Sequence, residues 1–277
     1  MISRTCKIKV EEKTLEVPFP AVMGILNITP DSFYDGGFYS TLDAQLKQVD
    51  KMLREGAAII DIGAASTRPG ARQVSEEEES GKLIPVIEAV KLNFPGSIIS
   101  VDTYRSAVAR IVLEHGANII NDIWGGRFDG KMIGTAVEKN VPLILMHMQG
   151  TPETMQSAPY YEDVVAEVND FFRNQISLLP PGYKNVLIDP GFGFGKTVEH
   201  NFLLLSHLDE FKKHGVPVVA GFSRKSMINK ILGTRPSEAL NGTTVLNTIA
   251  LLKGADILRV HDVKEAMEAV KLVSRIL

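Results

Sequence analysis

The sequence predicts an α/β protein of the (β/α)8 barrel class, a TIM barrel with an N-terminal β-hairpin. Three observations carry that prediction. Eight short apolar runs, at 21–28, 58–63, 97–102, 118–123, 142–147, 185–189, 217–221 and 256–260, alternate with amphipathic segments long enough for helices. Polar residues gather at or just past the C-terminal ends of these runs: Asn27, Asp61, Asp102, Asn121, His147, Asp189, Ser223 and Arg259. In a barrel those ends converge on one face, whereas a doubly wound open sheet, the alternative, would string many of them along an edge. The length of 277 residues suits one domain over 1–277, because such barrels typically take about 250 residues.

The elements follow in order. Residues 5–10 and 14–17 alternate around the charged turn Glu11-Glu12-Lys13 and predict the hairpin. In 43–56, Leu46, Val49, Met52 and Leu53 recur at helical spacing before a Gly56 stop. The helix expected over 76–94 contains Pro85, which should kink or split it. Segment 163–178 places Val164, Val165, Val168, Phe171 and Phe172 on one face. The last helix opens on Asp262 as cap with Glu265 three residues on, and turns Val263, Ala266, Val270, Val273 and Leu277 inward.

Composition narrows the function. The chain is 44% hydrophobic and 23% charged, with net charge −3 and no basic block, so nucleic acid is not an expected partner. Residues 1–20 carry charges throughout and lack a continuous apolar stretch, so no membrane association is expected. The one cysteine, Cys6, excludes an internal disulfide and a cysteine-based metal site, which suits a reducing cytoplasm.

The run ends supply the chemistry. Run one leads into a long, polar, glycine-hinged loop with Phe33 and Asp35, too long for an ordinary βα connection and suited to a lid. Run two leads to Ser66-Thr67-Arg68-Pro69-Gly70, where a guanidinium among hydroxyls suits an anion, although a lone loop arginine is more often solvated. Asp61 reads as a rim carboxylate that holds a neighbouring loop. Asp102, Asn121 and Asp189 end three runs; aimed inward together, they form a surface for a flat heterocycle rich in N–H donors. After Asp189, Gly191, Gly193 and Gly195 alternate with Phe192 and Phe194, a spacing that fits neither the dinucleotide fingerprint nor the P-loop. Ser223-Arg224-Lys225-Ser226 opens a helix and is a candidate anion or carboxylate seat. Alternation puts Arg259 and His261 on one side of their strand, as a candidate anion-binding pair. His147 is open to a structural or a functional reading. Together these residues suit a donor-rich ring with a phosphorylated tail.

Eight motifs then carry a resemblance: MGILNITPDSFYDGG (23–37), STRPG (66–70), SVDT (100–103), NDI (121–123), LMHMQGTP (145–152), DPGFGFGK (189–196), GFSRKS (221–226) and RVHDV (259–263). In this order, the chain resembles the dihydropteroate synthases, the folate-pathway family that sulfonamide drugs target. The resemblance implies condensation of 6-hydroxymethyl-7,8-dihydropterin diphosphate with 4-aminobenzoate. It implies a pterin slot of Asp102, Asn121, Ile123, Met146, Asp189, Gly221, Lys225 and Arg259. It puts Phe33, Thr67, Phe194 and Ser226 around 4-aminobenzoate, and Thr67, Arg68, Arg259 and His261 on the diphosphate. Arg68, Lys225, Arg259 and His261 become the catalytic set, Asn27 helps to hold Mg²⁺, and the enzyme is a homodimer. Two rivals are a methyltetrahydrofolate methyltransferase-like barrel, which needs no Arg68 or Ser223–Ser226 set, and a non-catalytic pterin-binding paralogue, which should have lost Asn27, Asp35 or Arg68.

Overall fold

The computed structural model describes residues 5–10, 13–28, 41–64 and 74–276, with the backbone alone for 6–10 and 13–15. The expected hairpin forms: β1 (Thr5–Val10) and β2 (Lys13–Pro18) pair antiparallel, with Val10 opposite Lys13.

The body alternates strands and helices. It comprises β3 (Ala21–Asn27), α1 (Leu42–Glu55), β4 (Ile59–Gly63), α2 (Glu76–Asn93), β5 (Ile99–Asp102), α3 (Ser106–Glu114) and β6 (Ile119–Asp122). It continues with α4 (Met132–Lys139), β7 (Leu143–Met146), α5 (Val164–Ser177), β8 (Val186–Asp189), α6 (Val198–Ser206) and β9 (Val219–Ala220). The last elements are α7 (Ser226–Leu232), α8 (Leu240–Leu252), β10 (Ile257–Val260) and α9 (Val263–Val273). The strands run parallel in the order β8-β7-β6-β5-β4-β3-β10-β9. The two ends of that order meet through a parallel bridge between Ile188 and Val218, and the Ile188 N–H donates to the Pro217 carbonyl at 3.0 Å. The sheet is therefore a closed (β/α)8 barrel, and the open-sheet alternative falls.

Strand alternation sorts the apolar residues into two cores. Val22, Ile60, Val101, Ile120, Leu145, Ile188 and Leu258 face outward and pack with the helices. Met23, Ile59, Ile119, Ile144, Leu187, Val219 and Ile257 fill the barrel, and Val17 and Phe19 join them. The hairpin thus closes the N-terminal end with side chains and leaves the C-terminal mouth for the site.

Local signals set both limits of α1. The Thr41 hydroxyl accepts from the Ala44 N–H at 3.3 Å to start α1, and Gly56, with φ 104°, ends it. Val164, Val165, Val168 and Phe172 bury on α5, with Phe171 packed beside them. Two expectations change. Pro85 does not split α2, which is assigned as helix from Glu76 to Asn93. Leu83, Val86, Ile87 and Val90 bury on both sides of the proline and hold both halves to the barrel. Asp262 stands at the start of α9 but makes no side-chain cap hydrogen bond. Its carboxylate instead accepts the Arg224 guanidinium bidentately, at 2.9 and 2.8 Å, because a charged fork outcompetes a backbone N–H. Leu277 and the lid expected after run one lie outside the described residues.

Candidate active site

The site follows from barrel periodicity. Within each strand, the residue two beyond an interior apolar one points the same way and reaches the mouth. Ile59 leads to Asp61, Ile119 to Asn121, Ile144 to Met146, Leu187 to Asp189 and Ile257 to Arg259. Asp102 ends β5 opposite Asn121 of β6, and Gly63 of β4 lies on its other side.

Arg259 is the hub. Its Nε donates to Asp61 Oδ2 at 2.7 Å, and its Nη2 reaches Asp61 Oδ2 at 2.6 Å and Asp102 Oδ2 at 3.0 Å. Asn121 Nδ2 donates to the same Asp61 oxygen at 3.2 Å. Asp61 is wholly buried, and its Oδ1 has no partner among the described residues. Burial raises the Asp102 pKa to about 7 against the pull of Arg259, and Asp61 adds to the rise. Burial opposes the Arg259 charge, but Asp61 and Asp102 outweigh it and hold the guanidinium above its ordinary value.

The β8 loop supplies a second group. Asp189 Oδ1 accepts the Gly191 N–H at 2.7 Å, and burial raises the Asp189 pKa while Lys225 and that N–H hold it down. Lys225 donates to the Phe192 carbonyl and stands 4.8 Å over the Phe194 ring. Burial lowers its pKa to about 8, opposed by Asp189. A Cβ at Gly221 would lie 3.7 Å from Arg259 Cβ and 3.9 Å from Lys225 Nζ, so this bare strand end keeps the space between two cations open. Ile123 and Met146 form an apolar patch with Met148 and Met155, and Phe194, Tyr104 and Trp124 pack against it. The Asp122 carboxylate, which accepts the Trp124 and Gly126 N–H groups at 2.8 and 2.7 Å, fixes the turn that presents Ile123.

His261 brings an uncharged imidazole. The Ser223 Oγ accepts the His261 backbone N–H at 3.1 Å and lies 2.8 Å from His261 Nδ1. Burial first and then Arg259 push the imidazole pKa down to about 3, so the ring is neutral. Arg224 ties this corner together. It adopts φ 58°, grips Asp262, and donates its N–H to Thr243 Oγ1 at 3.0 Å. Ser226 opens α7 in an exposed position.

Asp102, Asn121, Asp189 and Arg259 share one mouth, and Phe194, expected at the second substrate, packs against the cluster that holds Ile123 and Met146. Phe33, Thr67 and Arg68 lie outside the described residues. Asn27 is half-buried at the end of β3. Asp61 is more than a rim carboxylate: it is the inward acid that Arg259 and Asn121 share. Its place two residues after Ile59 is the signal that reveals it. Ser223 and Lys196 carry no such signal, because their partners are distant in sequence.

A closed barrel with acids, an amide and cations gathered at its mouth describes a class, and the comparisons give that class a name. The chain belongs to the pterin binding enzyme family, which matches residues 23–261. Within it, the chain is similar to the dihydropteroate synthase of Escherichia coli K12, 47% identical over 96% of this chain and 95% of that one. The dihydropteroate synthase of Haemophilus influenzae is 46% identical over 96% and 97%. A Yersinia pestis dihydropteroate synthase solved as a sulfonamide drug complex superposes with TM-score 0.92 at 43% identity, covering 98% and 99% of the two chains. A Xanthomonas albilineans dihydropteroate synthase in complex with 7,8-dihydropteroate gives TM-score 0.85 at 36% identity, covering 98% of each.

Asp61→Ala should destabilise the fold by about 3–5 kcal/mol, because it strands Arg259 in the barrel with one carboxylate fewer. Urea unfolding followed by circular dichroism measures this, and an unchanged midpoint would show that the pair is not needed for stability.

Proposed function

We infer that the mouth of this barrel seats a dihydropterin beside 4-aminobenzoate and joins them. The reaction is that of a dihydropteroate synthase: the C–O bond to diphosphate breaks, a C–N bond to the aromatic amine forms, and the amine releases a proton. One observation carries the reading, the convergence of Asp102, Asn121 and Asp189 around the Arg259–Asp61 pair. Carboxylates and an amide match the N–H-rich edge of a pterin, and the Lys225 ammonium matches its ring carbonyl. Ile123 and Met146 form the apolar wall of the slot. Phe194, whose ring lies under Lys225, faces the second substrate with Ser226, Thr67 and Phe33.

Heterolysis of the C–O bond leaves a methylene cation that the conjugated pterin delocalises. The barrier is then set largely by charge growing on the departing diphosphate. Arg68 and Thr67, with Arg259 and His261, are the residues proposed to serve that charge, and donors set in place before it develops need no reorganisation. An aromatic amine attacks without a strong general base, so position matters more than proton transfer.

Asn27 fits a magnesium role. Among the described residues no cluster of three acidic, histidine or cysteine side chains is poised for a metal. Mg²⁺ keeps several waters and is held largely through substrate phosphates, so Asn27 would supply one neutral oxygen where one or two carboxylates are usual. When bound, the ion adds positive charge beside the diphosphate.

The enzyme is proposed to act as a homodimer in the cytoplasm. Ile231 and Leu232 of α7 and Val245, Ile249 and Leu252 of α8 are 37–63% exposed, and on α8 they fall at i, i+4 and i+7. Such a stripe on adjoining helices supports a self-association face.

Diphosphate release that depends on 4-aminobenzoate tests the activity, and release without the amine would overturn it. In the same assay Asp189→Asn should weaken pterin binding roughly tenfold to a hundredfold, the worth of one charged hydrogen bond. Unchanged affinity in calorimetry would remove Asp189 from the slot.

Pterin affinity should be bell-shaped in pH. Asp102 accepts best as a carboxylate, so affinity falls as pH drops below about 7. Lys225 donates best as an ammonium, so it also falls above about 8. Calorimetry with a pterin that lacks the diphosphate isolates both limbs, and Lys225→Arg should abolish the alkaline one. A flat profile would contradict these roles. Sedimentation of Val245→Asp/Ile249→Asp should give a monomer where the parent chain sediments as a dimer; a parent monomer would end the dimer proposal.

A further inference from the structure

Gly191, Gly193 and Gly195, with φ 69°, 84° and 63°, coil the chain after β8 into a tight loop. That loop presses on the end of β7. A Cβ on Gly191 would stand 1.9 Å from the His147 carbonyl oxygen, and one on Gly195 would stand 2.4 Å from that of Gln149. The coil turns carbonyls inward, and each buried carbonyl needs a donor. Lys225 serves Phe192, Gln156 Nε2 serves Gly193 at 2.6 Å, and the Tyr161 hydroxyl serves Gly195 at 2.9 Å.

The remaining two, Gly191 and Phe194, share Lys196. Its Nζ donates to each at 3.0 Å and lies 3.0 Å from His147 Nδ1 and 3.3 Å from the His147 carbonyl. Lys196 is buried at 3% exposure and reaches across from the β8 loop to the end of β7. Burial pushes its pKa well below that of an ordinary lysine. The clamp is indifferent to this, since two N–H donors serve the two loop carbonyls and an amine has two even when neutral.

Two candidate substrate contacts stand in front of this clamp. Asp189 is also held by strand pairing, opposite Met146, with its carbonyl accepting the His147 N–H at 3.0 Å. Phe194 lies in no strand: its N–H donates to the Gly191 carbonyl at 3.1 Å, and its carbonyl takes Lys196. Loss of the amino group would therefore release Phe194 far more than Asp189.

We propose that Lys196 is a positioning residue for the second substrate: it clamps the Gly191 and Phe194 carbonyls against the end of β7 and so sets where the Phe194 ring stands. The proposal rests on the reading of Phe194 as a wall of the 4-aminobenzoate seat.

The test compares Lys196→Met, which keeps the stem and removes every donor, with Lys196→Gln, which keeps an amide donor. Leu83→Ala, a core truncation on α2 outside the barrel, controls for lost stability alone. Lys196→Met should raise KM for 4-aminobenzoate tenfold or more while the pterin Kd moves less than threefold, and Lys196→Gln should fall between it and the parent. Should Lys196→Met fail to fold, the split in Lys196→Gln decides. Equal losses for both substrates, or kinetics in both variants matching Leu83→Ala, would overturn the proposal. Phe194→Ala separates it from the reading beneath it. If that variant leaves the 4-aminobenzoate KM unchanged, the assignment of Phe194 fails; if it raises KM and the Lys196 variants do not, only the clamp fails.

Discussion

The site depends on a guanidinium inside a barrel. Asp61 and Asp102 converge on the mouth from adjacent strands, and two buried carboxylates so close would repel or protonate. Arg259 reaches both, at 2.6–2.7 Å and 3.0 Å, and makes their proximity tolerable. The arrangement is strained in one direction only: Asp102 still titrates near 7, because burial costs more than the arginine returns.

Around that pair, the mouth divides into a rigid and an adaptable half. The acids and the amide stand on strands, where ladder hydrogen bonds fix them. Phe194, Lys225 and His261 stand on loops, and other loops hold them. Arg224 crosses to Asp262 and Ser223 crosses to His261, so the β9 and β10 loops form one unit. Lys196 joins the β7 and β8 ends in the same manner. The Arg224 guanidinium and the Lys196 amino group do this positioning, together with the Ser223 hydroxyl.

The glycines after Asp189 match neither nucleotide-binding spacing, and their hydrogen bonds show a different use. Two of their N–H groups are spent inside the protein. Gly191 N–H turns back to Asp189, and Gly193 N–H goes to Asn201 Oδ1 at 2.6 Å. Their use is close approach: a side chain at Gly191 or Gly195 would collide with the β7 loop.

Sequence by itself determined the barrel and most of its mouth. Eight apolar runs ending in polar residues force convergence once the sheet closes, and period-two alternation assigns each strand residue to a side. Asp102, Asn121, Asp189 and Arg259 were legible for that reason. Tertiary structure alone decided the partners. Asp262 carries every local mark of a helix cap, but Arg224, 38 positions away, takes its carboxylate. Asp61 looks like a rim acid until Arg259, 198 positions on, lands against it. Lys196 follows a glycine run, and it is buried because the loop's own carbonyls fold around it. Local preference sets where elements begin and which way residues face; which buried charges meet depends on barrel closure, which no window of sequence contains.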